Sequence, residues 1–107
     1  MTTAYKNAKV DLTGTGATVL YTCPSVTTAI VTSILVSEDS GNADTITVTL
    51  TNAATAVFSL FKVKAVGANT TVELLTRPLV VEEAEILKVT AATGGRLHVV
   101  ASLLELS

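Results

Sequence analysis

Three places in the chain hold residue types that can do chemistry. In "EDSGNAD" the acids Glu38, Asp39 and Asp44 crowd Gly41 within seven residues; Glu82, Glu83 and Glu85 form a second acidic group; and His98 in "RLHVVAS" is the lone histidine. An EF-hand loop requires D-x-[DN]-x-[DN]-G and a distal Glu, whereas here Gly41 comes too early for that pattern. The preferred reading of this stretch is a hairpin loop with a solvated acidic tip, set against an irregular cation site. Paired carboxylates do acid–base work only inside a cleft that separates their pKa values. Two Tyr, two Phe and no Trp foreshadow no aromatic-lined cleft around the glutamates. A histidine-based metal centre takes several imidazoles and a carboxylate, so His98 is expected in a structural or surface role, pointing opposite to Leu97 and Val99.

The remaining candidates are weaker. Cys23 has no partner for an internal disulfide and sits before Pro24 in a Val/Thr/Leu run, which suits a small buried hydrophobe. "TGTG" (Thr13 to Gly16) is followed by a β-type run, so it lacks the helix N-terminus that makes a Gly-rich loop bind phosphate. No strained elbow of the G-x-S-x-G type is present. The expectation is a non-enzymatic protein with no catalytic residues, no cofactor and no metal.

What must position any site is a β scaffold. The 107 residues suit one domain, residues 1–107, since domains of about 100 to 150 residues are commonest. The chain holds 19 Thr, 15 Val and 14 Ala, with 4% aromatic and 15% charged residues. Branching at Cβ restricts χ1 and favours pleated strands. A net charge of −2 and scattered lysines argue against a nucleic-acid surface, which needs clustered Lys and Arg. The N-terminal "MTTAYKNAKVDL" lacks a signal-peptide pattern and no apolar run approaches the ~18 residues of a membrane span; a soluble protein made in a cytoplasm, with no membrane partner, is expected. Mean hydropathy of +0.57 is high for a free monomer, which suggests apolar surface covered by other subunits.

The strands follow from alternation and turn punctuation. In "DTITVTLTN" Ile46, Val48 and Leu50 face one way and Thr45, Thr47, Thr49 and Thr51 the other, the period of a strand with one face on a core. "TTAIVTSILVS" (Thr27 to Ser37) is apolar at Ile30, Ile34 and Val36 on one face and at Val31 and Leu35 on the other, as expected of a central strand. Further strands are predicted near Lys6–Leu12, Thr18–Thr22, Ala56–Val63, Thr70–Leu75, Ile86–Ala91 and Leu97–Leu106. Turns fall at "TGTG", "NAAT", "VGAN" and "TGG". "VVEEAEIL" clusters helix formers, but it is short and flanked by β-branched residues, so a turn is predicted there. The result is an all-β sandwich of about eight short strands with no substantial helix.

Taken together, "VLYTCPSVTTAIVTSILVSEDSGNADTITVTLTN", "PLVVEEAEILKVTAA" and the terminal "LHVVASLLEL" resemble small virion structural proteins of tailed bacteriophages. Tyr21, Thr22 and Pro24 match a strand ending in Tyr-Thr-x-Pro. Ala29 to Val31 match the Ala-Ile-Val strand after it, and Ser40 to Asn42 with Thr45 to Thr51 match a turn leading into a Thr/Val strand. The corner before the penultimate strand departs from the pattern, with Glu83, Ala84 and Glu85 and no Gly.

The resemblance implies a jelly-roll or Ig-like sandwich serving as a capsid decoration (cement) protein, a homo-oligomer with a trimer favoured. It would bind the major capsid protein or other virion subunits at the capsid surface. A tail or baseplate part is the alternative, and a carbohydrate-binding module a third reading, limited by the few rings available for stacking. Candidate subunit contacts are Phe58, Leu60 and Phe61 in "VFSLFKV" and Leu103, Leu104 and Leu106 at the end; the competing reading is that both runs are ordinary core.

Overall fold

The Thr/Val alternation that predicts strands is realised throughout the computed structural model, which describes residues 2–107. Among the described residues nine strands form: β1 (Thr3–Leu12), β2 (Thr18–Thr22), β3 (Thr28–Glu38), β4 (Asp44–Thr51), β5 (Val57–Val66), β6 (Thr71–Glu73), β7 (Leu79–Val81), β8 (Ile86–Ala91) and β9 (Leu97–Leu106). No helix occurs among the described residues. The glutamate-rich stretch closes as a turn, in which the Glu85 N–H donates to the Glu82 carbonyl at 3.0 Å and Ala84 adopts φ 67°.

All pairings are antiparallel. One sheet runs β1-β9-β3 and ends on an edge shared by β6 and β7; the other runs β2-β8-β4-β5. If β6 and β7 count as one interrupted strand, the first strand lies beside the last and the second beside the penultimate. The third lies beside the interrupted strand, and the fourth and fifth form a hairpin. That winding is a jelly roll, one of the two architectures expected. The sequence reading of about eight strands lacks β7, whose three residues pair with Ala29 to Val31 of β3.

The core lies between the sheets. Val31, Ile34 and Val36 of β3 and Leu97, Val99 and Leu103 of β9 meet Ile46 and Val48 of β4 and Leu87 and Val89 of β8, all buried. Burying each such side chain contributes about 1.5–3 kcal/mol.

The facing of β3 differs from the sequence reading. Val31 pairs with Leu103 and Ser33 with Ser102, so Thr32 is an extra residue in a β-bulge. One extra residue reverses the alternation beyond it. Ala29 and Val31 therefore share the core face with Ile34 and Val36, while Ile30 and Leu35 face outward. The Glu73 carboxylate secures the bulge: it accepts from the Ser33 hydroxyl, from the Ile34 N–H at 2.8 Å and from the Leu75 N–H at 3.1 Å. Burial works to raise the Glu73 pKa, but these hydrogen bonds prevail and lower it.

At one end of the sandwich the β8–β9 loop presses against the β1–β2 loop. A Cβ on Gly94 would stand 2.5 Å from the Thr13 carbonyl oxygen, whereas one on Gly14 would meet nothing within 4 Å. Gly94→Ala is therefore expected to cost about 1–3 kcal/mol by overpacking against backbone. Gly14→Ala is expected to stay within about 0.5 kcal/mol of the parent. Urea unfolding of the two variants measures the difference.

Candidate subunit interface

The six apolar residues predicted as contacts do not come together. Leu104 and Leu106 lie on the outer face of the β1-β9-β3 sheet, but Leu103 points the other way and is core, 3% exposed. Strand alternation forces this split, because neighbours in a strand face opposite sides. Phe58 is half exposed on β5, while Leu60 and Phe61 are partly buried against the core. Leu60 and Phe61 line an open groove of about 330 Å³ with Leu75, Pro78 and Leu79 at the side of the sandwich.

The register of the first sheet assembles a different set. Tyr5 pairs with Leu104, Leu104 with Ile30, and Ile30 with Val80, which places four apolar side chains in one row across the outer face. Tyr5 is 86% and Val80 53% exposed. Beside the row lies a shallow depression of about 580 Å³ lined by Tyr5, Asn7, Thr32, Ser102 and Leu104. Beyond it Leu106 and Val26 border a second hollow of about 410 Å³. Val26 is held at φ 53°, and its N–H donates to the Glu83 carboxylate. A β-branched residue in this left-handed region is strained, so the loop holds an exposed apolar side chain in place against its preference. Sequence reasoning missed Tyr5, Ile30 and Val80. Each is unremarkable in its own segment, and only the pairing register aligns them.

The polar groups are committed to architecture. Glu105 of β9 is buried beneath Tyr21 of β2; the Tyr21 hydroxyl donates to Glu105 Oε2 at 2.5 Å and the Lys6 ammonium of β1 to Oε1 at 2.9 Å. The Tyr21 bond ties the two sheets, the Lys6 bond joins neighbouring strands of one, and both lower the Glu105 pKa. Burial and the bond to Glu105 push the Tyr21 hydroxyl well above its ordinary range. Cys23 is buried, its Sγ donating to the Thr27 carbonyl at 3.3 Å, and burial raises its thiol pKa. His98 faces outward, with Nε2 3.1 Å from Asp11 and Nδ1 3.6 Å from Asp39.

"EDSGNAD" is a turn, but its tip is not simply solvated. Glu38 is 2% exposed. Its carboxylate accepts from the Ser40 hydroxyl, the Ser40 N–H at 2.8 Å, the Gly41 N–H at 3.1 Å and the Asn69 N–H at 3.0 Å. Asp44, also buried, accepts from the N–H groups of Thr45 at 2.8 Å and Thr93 at 3.1 Å. Of the three acids only Asp39 is exposed. The carboxylates thus bind backbone donors of three loops, and no group of three or more metal-ligating side chains exists among the described residues.

Burial works to raise the Glu38 pKa, but the four hydrogen bonds prevail and lower it to about 2. Because the folded value lies below the ordinary glutamate value of about 4.3, Glu38 stabilises the fold fully above that value. This stabilisation is lost as pH falls from about 4 towards 2. Glu38→Gln is expected to lower stability at neutral pH and to flatten the acid limb in that window. Denaturant midpoints across the pH range check this; identical acid limbs would contradict it.

No family model and no curated protein matches the chain. Among solved structures the chain is similar to one of the Bacillus endospore appendages, described as a family of disulfide-linked pili. The TM-score is 0.54 at 10% identity, covering 97% of this chain and 86% of that one. A chain from infectious bursal disease virus, Gt strain, aligns at TM-score 0.41 and 8% identity, over 98% of this chain and 30% of the viral one. At such identities the likeness to the appendage protein is one of fold: a β-sandwich of this size.

Proposed function

We propose that the chain is a non-enzymatic structural subunit of a bacteriophage particle, decorating the capsid by laying the outer face of the β1-β9-β3 sheet on its shell. The observation that carries this reading is the outer apolar row Tyr5, Leu104, Ile30 and Val80, exposed at its two ends and half-buried between. It lies on a sandwich whose buried acids Glu38, Asp44 and Glu105 are engaged with backbone and side-chain donors. Apolar side chains lined up across a sheet favour a flat protein partner, and contacts of this kind exclude water over a broad area. The fold-level likeness to an appendage subunit is compatible with a part that assembles. A disulfide-linked assembly is not favoured for this chain, because its one cysteine is buried and its thiol pKa is raised. Sugar binding is disfavoured as well: Tyr5 and Phe58, the exposed rings, sit on different sheets and form no stacking platform.

Leu104→Asp is expected to leave the fold intact and abolish co-sedimentation with capsid shells, whereas Leu103→Asp, which buries a charge in the core, is expected to unfold the protein. Circular dichroism separates loss of folding from loss of docking. Quantitative mass spectrometry of purified particles is expected to find hundreds of copies; a handful of copies would place the subunit in the tail instead.

A further inference from the structure

His98 is the one histidine of the chain, and both of its ring nitrogens face carboxylates. It stands in a cross-strand row on the outer face of the first sheet, between Asp11 of β1 and Ser37 of β3. Nε2 lies 3.1 Å from Asp11 Oδ1, and Nδ1 lies 3.6 Å from Oδ1 of Asp39, in the loop after β3. A neutral imidazole carries one N–H and one lone pair, and an ionised carboxylate only accepts. One of the two facing pairs therefore lacks a positive centre whenever the ring is neutral. The neighbouring cations are turned elsewhere: the Lys9 ammonium, two residues along β1 on the same face, donates to Asn7 Oδ1 at 3.3 Å, and the Arg96 guanidinium donates to the Ala43 carbonyl at 3.0 Å.

We infer that the Asp11–His98 pair is a binding site for an exchangeable divalent transition ion of the Zn²⁺ class, with Nε2 and the Asp11 carboxylate as its two protein ligands. The observed separation fits such an ion. A nitrogen and an oxygen each about 2.0–2.2 Å from zinc, at octahedral to tetrahedral angles, stand about 2.9–3.4 Å apart. Coordination through Nε2 leaves the ring proton on Nδ1, the side of Asp39. That is the carboxylate–histidine–metal order, which orients the imidazole and raises its basicity. Asp39 is a positioning residue: at 3.6 Å it is beyond hydrogen-bond reach, and its exposed side chain closes that gap once the N–H is fixed on Nδ1.

Imidazole with carboxylate selects the class of metal. Ca²⁺ and Mg²⁺ take oxygen ligands, whereas imidazole suits Zn²⁺, Ni²⁺ and Cu²⁺. Two side chains are fewer than the three or four protein ligands of catalytic or structural zinc, so water fills the remaining positions and the ion exchanges with solution. A hollow of about 290 Å³, lined by Lys9, Asp11, His98 and Val100, leaves room for that water. The two ligands sit directly opposite each other on adjacent strands, in a ladder without register shifts, so no loop must be ordered to bring them together. The inference stands on this geometry and does not depend on a phage origin.

The test is a zinc chloride titration of the full chain, followed through the ring C–H resonances of its single histidine at about pH 7.5, where an ordinary imidazole is mostly neutral. The parent is expected to respond saturably by millimolar zinc and to gain in denaturant midpoint as zinc is added; calcium chloride is expected to do neither. Asp11→Asn is expected to weaken binding about tenfold or more, and Asp39→Asn about threefold to tenfold. His98→Gln, read by its denaturant midpoint, is expected to lose the zinc response. All three side chains are exposed by 43% or more, so the variants fold. No saturable response of the parent, an equal response to calcium, or an undiminished zinc effect in Asp11→Asn or His98→Gln would overturn the inference; unchanged affinity in Asp39→Asn would overturn the positioning role.

Discussion

The Glu73 carboxylate decides which side of the central strand is inside. By holding the Ser33 hydroxyl and the Ile34 N–H it stabilises the extra residue at Thr32, and that residue reverses the alternation of β3. Without it, Ile34 and Val36 could not share the core face with Ala29 and Val31. The same carboxylate takes the Leu75 N–H where β6 ends and the chain loops out before β7. One acid therefore sets both the parity of the central strand and the break in its neighbouring edge. Since β3 touches β9, β6 and β7, the composition of the outer face follows from it, including the outward turn of Ile30 and Leu35.

The pattern recurs elsewhere. Glu38, Asp44 and Glu105 are all buried, and each accepts from backbone N–H groups or from side chains of another strand. A core of Val, Ile and Ala supplies burial but no direction, because the hydrophobic effect is non-directional. Loops and sheet-to-sheet contacts in such a protein take their fixed geometry from charge-assisted hydrogen bonds, which are shorter and stronger than neutral ones. Glu38 and Asp44, two of the three acids of the "EDSGNAD" cluster, are thus joints of the sandwich. Acids already engaged with N–H donors, with pKa values lowered as at Glu38, Glu73 and Glu105, are poor proton donors near neutrality.

Much of this fold is legible in the sequence because its signals are local. Ile46 and Val48 alternate with threonines and are buried as that pattern demands, and β9 spans Leu97–Leu106 as predicted. The turn at Glu82 to Glu85 follows from its length and flanks. What escaped is non-local. β7 is three residues long, too short to show a period, and exists only because Ala29 to Val31 accept it. The Thr32 bulge depends on Glu73, 41 positions downstream by subtraction of the residue numbers. The outer apolar row joins one residue from each of four strands, so no window of sequence contains it. Leu103, Leu104 and Leu106 read as one apolar patch until the pleat sends Leu103 into the core.

The exposed apolar side chains are spread over both sheets, with Tyr5, Leu35, Val80 and Val100 on the first and Val19, Val57, Phe58 and Val63 on the second. The outer face of the second sheet carries threonine in every row: Thr45 beside Ala65, Thr47 beside Thr90, Thr49 beside Lys88, and Thr51 beside Ile86. Thr45, Thr47 and Thr49 are half-buried and keep the Cβ branch that a strand prefers, whereas Thr51 is buried and its hydroxyl oxygen has no hydrogen-bond partner. On the first sheet the row of Tyr5, Leu104, Ile30 and Val80 offers no hydroxyl except the Tyr5 phenol. The threonine face is not free of apolar surface, since Val19, beside Lys88, and Val57, beside Thr51, are 50% and 63% exposed. Covering either face would strip polar groups of water: threonine hydroxyls on one, and Asn7, Ser102, Lys9, Asp11 and His98 on the other, where the row through Tyr5 and Leu104 is the apolar part.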